Sequence, residues 1–438
     1  AILCPPEYKH NTAKVDIKNI SPKFFQEKNL LSLSYYLDTF PNVIHNNFSH
    51  VGVHGIGGMC RMWGASIGTF DKETLRRNNL DFNEFLQCYS ELEEFLPFSG
   101  NEQDDITDNF NLKRTKSVVV SRRVRKLYGK YLNNTFKVGF PRLLIKENCN
   151  QCNQCLVGCK INSIWYPSEN DFLSTNLDIS LLKNSYATKI AKNEIVYLKN
   201  NKEEALSSEY VILAGGVMQN YKLLIGLENV LNTRAKIFTT PALAFSFFNF
   251  TKNVENYFFG MGNATFILEN NNNPAFYGNL YDGYSLHISN GKVFSNNSVV
   301  DKLFKIISKY MIFGAGFISS DYAECNIEAK NKKITISGKF SKKYIPTIKK
   351  IQNIVKRFSK ANNGMFTYSK KILLGGDIHY GGGIPSDLYV ETLAKDGKLK
   401  NINNIRVVGG STFSYLSPVS PTLSYIANSY RIGKKIKF

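Results

Sequence analysis

Apolar positions along this chain recur at two different periods, and the period changes from one stretch to the next. From Asp71 to about Lys130 the pattern is helical and charged, opening with Asp71-Lys-Glu-Thr-Leu and continuing through Phe82-Asn-Glu-Phe-Leu-Gln. Between Glu194 and Gly226 short strands take over. Glu194-Ile-Val-Tyr-Leu-Lys reads as one of them, with Asn200-Asn201 as its turn. Tyr210-Val-Ile-Leu-Ala is an unbroken apolar run of the kind expected from a buried strand. It leads into Gly215-Gly216 and a helix-like segment, Tyr221-Lys-Leu-Leu-Ile.

Residues 236–375 read as strands and hairpins with one or two helices. Asn326–Ser337 predicts two strands joined near Lys330-Asn331. In Pro346–Phe358 the apolar residues Ile348, Ile351, Val355 and Phe358 fall three and four apart, which predicts an amphipathic helix with its proline in the first turn. Asn404-Ile-Arg-Val-Val predicts a strand ending at Gly409-Gly410-Ser411. Ser420-Pro421-Thr422 then predicts a helix start, serine at the N-cap and proline in the first turn, with Leu423, Ile426, Ala427 and Tyr430 as its apolar stripe.

The composition adds bounds. With 438 residues, 43% hydrophobic and 21% charged, the chain is an ordinary globular one of about two to three domains. No apolar run approaches the ~18 residues of a membrane span, and the start lacks the layout of a secretory signal. Lys plus Arg number 55 against 35 Asp plus Glu, a formal net charge of +20. Such a balance is compatible with nucleic acid, an anionic membrane surface or a phosphorylated small molecule. Eight basic residues without an acid lie between Lys113 and Lys130, and they read as a solvated helix face, with a phosphate-binding strip as the alternative. No nucleic-acid motif accompanies them, so nucleic acid is not the expected partner.

Four of the eight cysteines fall within eleven positions: Cys149, Cys152, Cys155 and Cys159. The others, Cys4, Cys60, Cys88 and Cys325, are scattered, which fits a reducing, cytoplasmic compartment rather than a disulfide framework. The run Cys-x2-Cys-x2-Cys-x3-Cys is the bacterial ferredoxin spacing, with Lys160 where a proline usually follows. It predicts an iron–sulfur cluster, with structural zinc or free thiols as the alternatives.

Two glycine-rich loops carry the remaining chemistry. Five glycines fall between Gly52 and Gly64, with His54 among them as a residue that could face the same ligand. His379 sits in Gly375-Gly-Asp-Ile-His-Tyr-Gly-Gly-Gly383, where a near-neutral imidazole suits a general base or, alternatively, only stabilises a turn. His10, His45, His50 and His287 read as structural. The helix start at Ser420-Pro421 offers free N–H groups to an anion, or is simply a well-capped surface helix.

Together these blocks resemble the glucose–methanol–choline (GMC) oxidoreductases, and more closely a bacterial branch with a cysteine-rich loop. The likeness rests on Gly57-Gly58-Met-Cys-Arg-Met-Trp63-Gly64-Ala65, on Val211-Ile-Leu-Ala214-Gly215-Gly216-Val217 with Leu223-Leu224, on His379 with Gly381-Gly382, and on Val407-Val-Gly-Gly-Ser411 followed by Ser420-Pro421-Thr422-Leu423. The resemblance implies an α/β protein: a glutathione-reductase-like FAD-binding fold joined to an α+β substrate domain of sheet and helix. The FAD-binding part would comprise 1–72, 176–235 and 376–438, the helical insertion with the cysteine loop 73–175, and the substrate domain 236–375.

It further implies an FAD-dependent dehydrogenase in which hydride passes from an alcohol or sugar-like substrate, phosphorylated ones included, to the flavin. His379 would take the hydroxyl proton, and Ser420 stands at the second catalytic position. Gly57, Gly58, Gly64, Ala214, Gly215, Gly410, Ser411, Pro421 and Thr422 would contact FAD. A cluster at Cys149, Cys152, Cys155 and Cys159 would relay electrons to an unidentified acceptor. Two departures stand out: Gly409 occupies a position where the family often has aspartate, and residues 1–50 contain no Gly-x-Gly-x-x-Gly turn. Because the chain begins with Ala1, the reading expects that turn in a segment upstream. The rival readings are an iron–sulfur electron-transfer protein and a non-catalytic relative that keeps only the fold.

Overall fold

Three sheets converge on the segment Gly375–Gly383. The computed structural model describes residues 2–3, 43–50, 52, 55–61, 63–100, 104, 106, 118–129, 135–153, 155, 159, 161–173, 178–191, 193–200, 202–227, 230–251, 260–271, 273–285, 298–331 and 333–436. In chain order the principal elements begin with β1 (Val43–Asn46), α1 (Lys72–Arg77), α2 (Phe82–Leu92) and β2 (Phe136–Gly139). A meander of β3 (Ser185–Ile190), β4 (Glu194–Lys199) and β5 (Lys202–Ser207) precedes β6 (Val211–Leu213) and α3 (Gly216–Leu224). Next come β7 (Ala235–Phe238), β8 (Ala242–Asn249), β9 (Ala264–Asn270), β10 (Asn273–Asp282), α4 (Ser298–Ser308) and β11 (Met311–Phe317). They are followed by β12 (Ala323–Lys330), β13 (Lys333–Phe340), α5 (Tyr344–Ala361), β14 (Gly364–Lys371), β15 (Gly381–Gly382), β16 (Ile402–Val407) and α6 (Thr422–Lys435).

The largest sheet is antiparallel throughout, in the order β14-β8-β11-β10-β9-β2. Helix α5 lies across it. Its predicted stripe, Ile348, Ile351, Val355 and Phe358, is buried against Phe136, Val138, Phe247 and Phe266. Each such side chain taken from water contributes roughly 1.5–3 kcal/mol. Asn363, with φ 54°, turns the chain out of the helix and into β14, the left-handed position that asparagine tolerates.

A second sheet runs β15-β7-β12-β13-β1; β13 and β1 are parallel, and the other pairs antiparallel. Its β12–β13 hairpin turns at Asn331, φ 51°, where the sequence places it. The third sheet pairs β6 with β16 in parallel, Leu213 opposite Val407, with Lys398–Leu399 antiparallel at the far edge. No helix among the described residues is long and apolar enough to cross a membrane.

Four expectations need correction. The helical pattern after Asp71 yields α1 and α2, but Phe98–Ser99 is a strand, and among the described residues near its end only Arg122–Arg125 is helical. Within the basic run, Arg123 is buried rather than solvated. It donates to Asp282 at 2.7 Å and to the carbonyls of Lys309 and Met311, so its charge is matched inside. Arg122, Arg125 and Lys126 are exposed as expected, while Lys113, Arg114, Lys116 and Lys130 lie outside the described residues. Ile212 in β6 is 44% exposed, because strand alternation puts it on the opposite face from buried Val211 and Leu213. Finally, Ser420 does not cap α6: its hydroxyl turns inward to Ser66, and Pro421, already at helical φ and ψ, precedes the first helical residue.

Candidate functional site

Thr239 and Thr240, between β7 and β8, face the loop that follows β14. Both threonines are buried, as is Asp377. Asp377 accepts from the Thr239 hydroxyl at 2.6 Å, from the Thr240 amide at 2.8 Å and from the Thr240 hydroxyl at 3.1 Å. Burial raises its carboxyl to about 6, against the pull of these hydrogen bonds. The Thr240 oxygen also lies 2.8 Å from His379 Nδ1.

One proton decides this chain. A threonine hydroxyl has a single proton, and a carboxylate is the stronger acceptor for it. Donated to Asp377, it leaves the Thr240 oxygen to accept from His379 Nδ1–H. The Nε2 lone pair is then free, and the tautomer is fixed by the partner of the other nitrogen. Burial pushes the imidazole down to about 3, so His379 is a neutral base throughout the physiological range. Between Asp377 and His379 stands Ile378 at φ 66°, a left-handed conformation that a β-branched residue adopts only under constraint. This twist sends Asp377 inward to the threonines.

The other predicted catalytic residue lies across the same sheet face. Phe317 and Tyr277 are directly opposite on β11 and β10, so their rings leave the sheet on one side. The Phe317 ring lies 4.4 Å from His379. Tyr277 donates to the Ile67 carbonyl at 2.8 Å and is surrounded by the hydroxyls of Ser66, Ser420 and Thr265. Ser420 Oγ lies 3.4 Å from Ser66 Oγ, which accepts from Asn279 at 2.9 Å. The segment that delivers Ser66 is tightly turned: Gly57, Gly58 and Ala65 all have positive φ.

A glycine corner completes the arrangement. The carboxyl ends of β6 and β16 lie side by side, with the Val408 amide on the Leu213 carbonyl. Each strand ends in a glycine in the left-handed region, Gly216 at φ 79° and Gly409 at φ 74°. A Cβ on either would meet no atom within 4 Å, so open space faces both turns. Asn220, in the first turns of α3, ties the corner together: it accepts from the Gly215 amide at 3.0 Å and donates to Ser411 Oγ at 3.0 Å. A crevice outside the carboxyl ends of adjacent parallel strands, with a helix N-terminus beside it, is where α/β sheets bind phosphorylated ligands. The residues therefore fit the pyrophosphate and ribityl part of a flavin dinucleotide.

This corner is joined to His379. Tyr425, on α6, donates to the Tyr380 carbonyl at 2.9 Å, and the same carbonyl packs against Gly410 so closely that no Cβ fits there. The structure thus brings Ala214, Gly215, Gly410 and Ser411 to one corner, sets His379 against it, and places Ser420, Pro421 and Thr422 at the start of the same α6. Gly57 is packed instead against Tyr166 and Pro167, whereas Gly58 and Gly64 have open space beside them. His54, His10, His287 and Cys4 lie outside the described residues. His50 stacks 5.4 Å from Tyr380.

The four loop cysteines line one small apolar cavity with Ile145 and Ile164. Cys159 Sγ accepts from the Ser163 amide at 3.1 Å, and burial raises the Cys149 thiol. Among the described residues no three His, Cys, Asp or Glu side chains gather into a metal-holding group. That arrangement gives an iron–sulfur cluster no support.

Thr240, Asp377, Ser66, Asn220 and Tyr425 escaped the sequence reading. Asp377 alone carried a signal, standing two residues before His379 inside the glycine run. The others are polar residues whose partners lie dozens to hundreds of positions away.

No family model matches this chain, and no curated protein matches it in sequence. Solved structures do match in fold. Pyridoxine 4-oxidase from Mesorbium loti superposes with a TM-score of 0.56 at 9% identity, covering 88% of this chain and 84% of that one. A variant of Aspergillus oryzae formate oxidase, studied for its FAD modification, gives 0.56 at 8% identity with the same coverage, 88% and 84%. At the level of fold, the likeness drawn from the sequence therefore holds.

Proposed function

We propose that this chain is an FAD-dependent oxidoreductase acting on a CH–OH group of an alcohol or sugar-like substrate. The observation that carries the reading is His379, kept neutral by burial and oriented through Thr240 and Asp377 with Nε2 free, against the glycine corner at the ends of β6 and β16. FAD, when bound, supplies the acceptor for the hydride that leaves the substrate carbon.

The remaining work falls to the chain itself. His379 Nε2 takes the hydroxyl proton as the C–H bond breaks, so the substrate is oxidised to a carbonyl and loses one hydride and one proton. Ser420, whose hydroxyl cannot serve as a base near neutrality, orients the substrate oxygen. Phe317 closes the His379 side with an apolar wall. Gly215, Gly216, Gly409, Gly410 and Ser411 would hold the pyrophosphate and ribityl chain. The N-terminus of α6, at Pro421 and Thr422, would face the anionic edge of the reduced ring.

Two finer points belong to the same proposal. A dehydrogenase is favoured by the sequence reading, whereas both fold neighbours are named oxidases. Comparing turnover with an artificial acceptor under air and under argon decides between them. The cysteine loop is assigned no electron-carrying step.

The test is an anaerobic absorption spectrum of the purified protein, followed by a panel of alcohols and sugars. A flavin double band that bleaches with one substrate, and no longer does so in His379→Ala, is the expected result. A colourless protein, or equal bleaching in His379→Ala, overturns the reading.

A further inference from the structure

We infer that one end of the six-stranded sheet docks on an anionic membrane surface through α4 and the turn Arg122–Lys126. Helix α4 carries a wider apolar sector than the sheet covers. Phe304 and Ile307 are half-buried, but Val299, Leu303 and Ile306, which share one face, are 71%, 56% and 60% exposed. A helix in a globular protein ordinarily buries such a stripe, and an exposed one marks an interaction surface.

Other elements bring like residues to the same end. The Asn249 amide bonds the Tyr310 carbonyl just beyond α4, and the Phe250 amide bonds Asn363. This places Phe250, 59% exposed, and Met365, 54% exposed and paired with Phe248, on the edge next to the helix. Arg123 then pins the basic turn there, because its buried guanidinium donates to the carbonyls of Lys309 and Met311. Exposed Arg122, Arg125 and Lys126 thereby sit at the C-terminal end of α4, on which Lys302 and Lys305 are also exposed.

Apolar side chains with exposed cations on the same helix and the neighbouring turn match a bilayer with anionic headgroups: the stripe enters the acyl boundary while the cations stay at the headgroups. A second copy of this chain fits less well, since a two-fold contact through this face brings two sets of cations together. Nucleic acid would satisfy the cations and leave the stripe in water. His379 lies toward the opposite end of the same strands, roughly 23 Å away at ~3.3 Å per residue along β8.

The experiment is co-sedimentation of the full chain with vesicles. Vesicles of about one-third phosphatidylglycerol are expected to bind it at least about tenfold better than pure phosphatidylcholine, and ~1 M salt to weaken the binding. Leu303→Glu with Ile306→Glu should lose roughly tenfold or more while keeping the thermal midpoint. Arg122→Gln with Arg125→Gln should lose binding to anionic vesicles independently. Equal binding to neutral vesicles, unchanged binding in both variants, or a dimer in light scattering that Leu303→Glu dissolves would each overturn the inference.

Discussion

Thr240 holds His379 at 2.8 Å through a hydroxyl oxygen whose own proton is committed to Asp377 at 3.1 Å. The imidazole is thereby oriented by a residue that need not touch the substrate. In Thr240→Val this oxygen is lost and the ring is free to rotate or change tautomer. Turnover should fall about 10- to 100-fold, the usual effect of removing a group that orients a reactive histidine. Thr240→Ser should retain most of the activity, and flavin content should be the same in all three proteins.

The same pair has a pH signature. His379 is lowered from 6.5 to about 3, so between those values the unfolded chain binds a proton that the folded one does not, and stability rises with pH. Asp377 is raised from 3.8 to about 6, so in that window the folded chain holds the extra proton and stability falls with pH. From about pH 4 to 6 the two slopes oppose each other. In His379→Asn only the Asp377 slope remains. The variant should therefore lose stability relative to the parent as pH rises through this window, as read from urea melts at several pH values.

Asn220 should matter to both stability and cofactor. Asn220→Ala leaves the Gly215 amide and the Ser411 hydroxyl without their shared partner. A loss of about 1–3 kcal/mol in unfolding free energy is expected. Flavin, measured by fluorescence on dilution, should dissociate more readily than from the parent.

The cysteines should separate by reactivity. Cys152 is exposed, whereas burial pushes the Cys60 and Cys325 thiols up to about 12. Mass spectrometry after brief iodoacetamide treatment should find Cys152 labelled first and those two last. Stoichiometric iron together with protection of all four loop cysteines would instead restore the cluster reading.

Removing one partner of the buried pair formed by Arg123 and Asp282 should be costly. Asp282→Asn leaves a buried guanidinium with only carbonyl acceptors and should destabilise the chain by about 3–5 kcal/mol in urea unfolding. Membrane docking should weaken with it, because the basic turn is fixed in place by this arginine.

What was legible in the sequence was local. The hairpin at Asn331, the stripe of α5 and the glycine corner after Val407 follow from spacing and turn chemistry, which a few neighbouring residues determine. Sheet order does not: nothing in Val43–Asn46 says that it pairs in parallel with β13, nearly three hundred positions on. Buried polar residues were misread for a related reason. Arg123 sits among surface cations in the sequence, and only its distant acceptors make it an interior residue. The candidate site divides in the same way: His379 and Ser420 came from their local motifs, Thr240 and Asn220 from contacts alone.

The link from Tyr425 to the Tyr380 carbonyl also fixes an order of events. During synthesis every strand of the six-stranded sheet is available once Lys371 has emerged, and folding of such a unit proceeds as its residues appear. His379 then waits for Gly410 and Tyr425 to be made before its loop can close. The scaffold can thus form while the chain is still chemically silent, and competence for any reaction arrives only once α6 has emerged and docked.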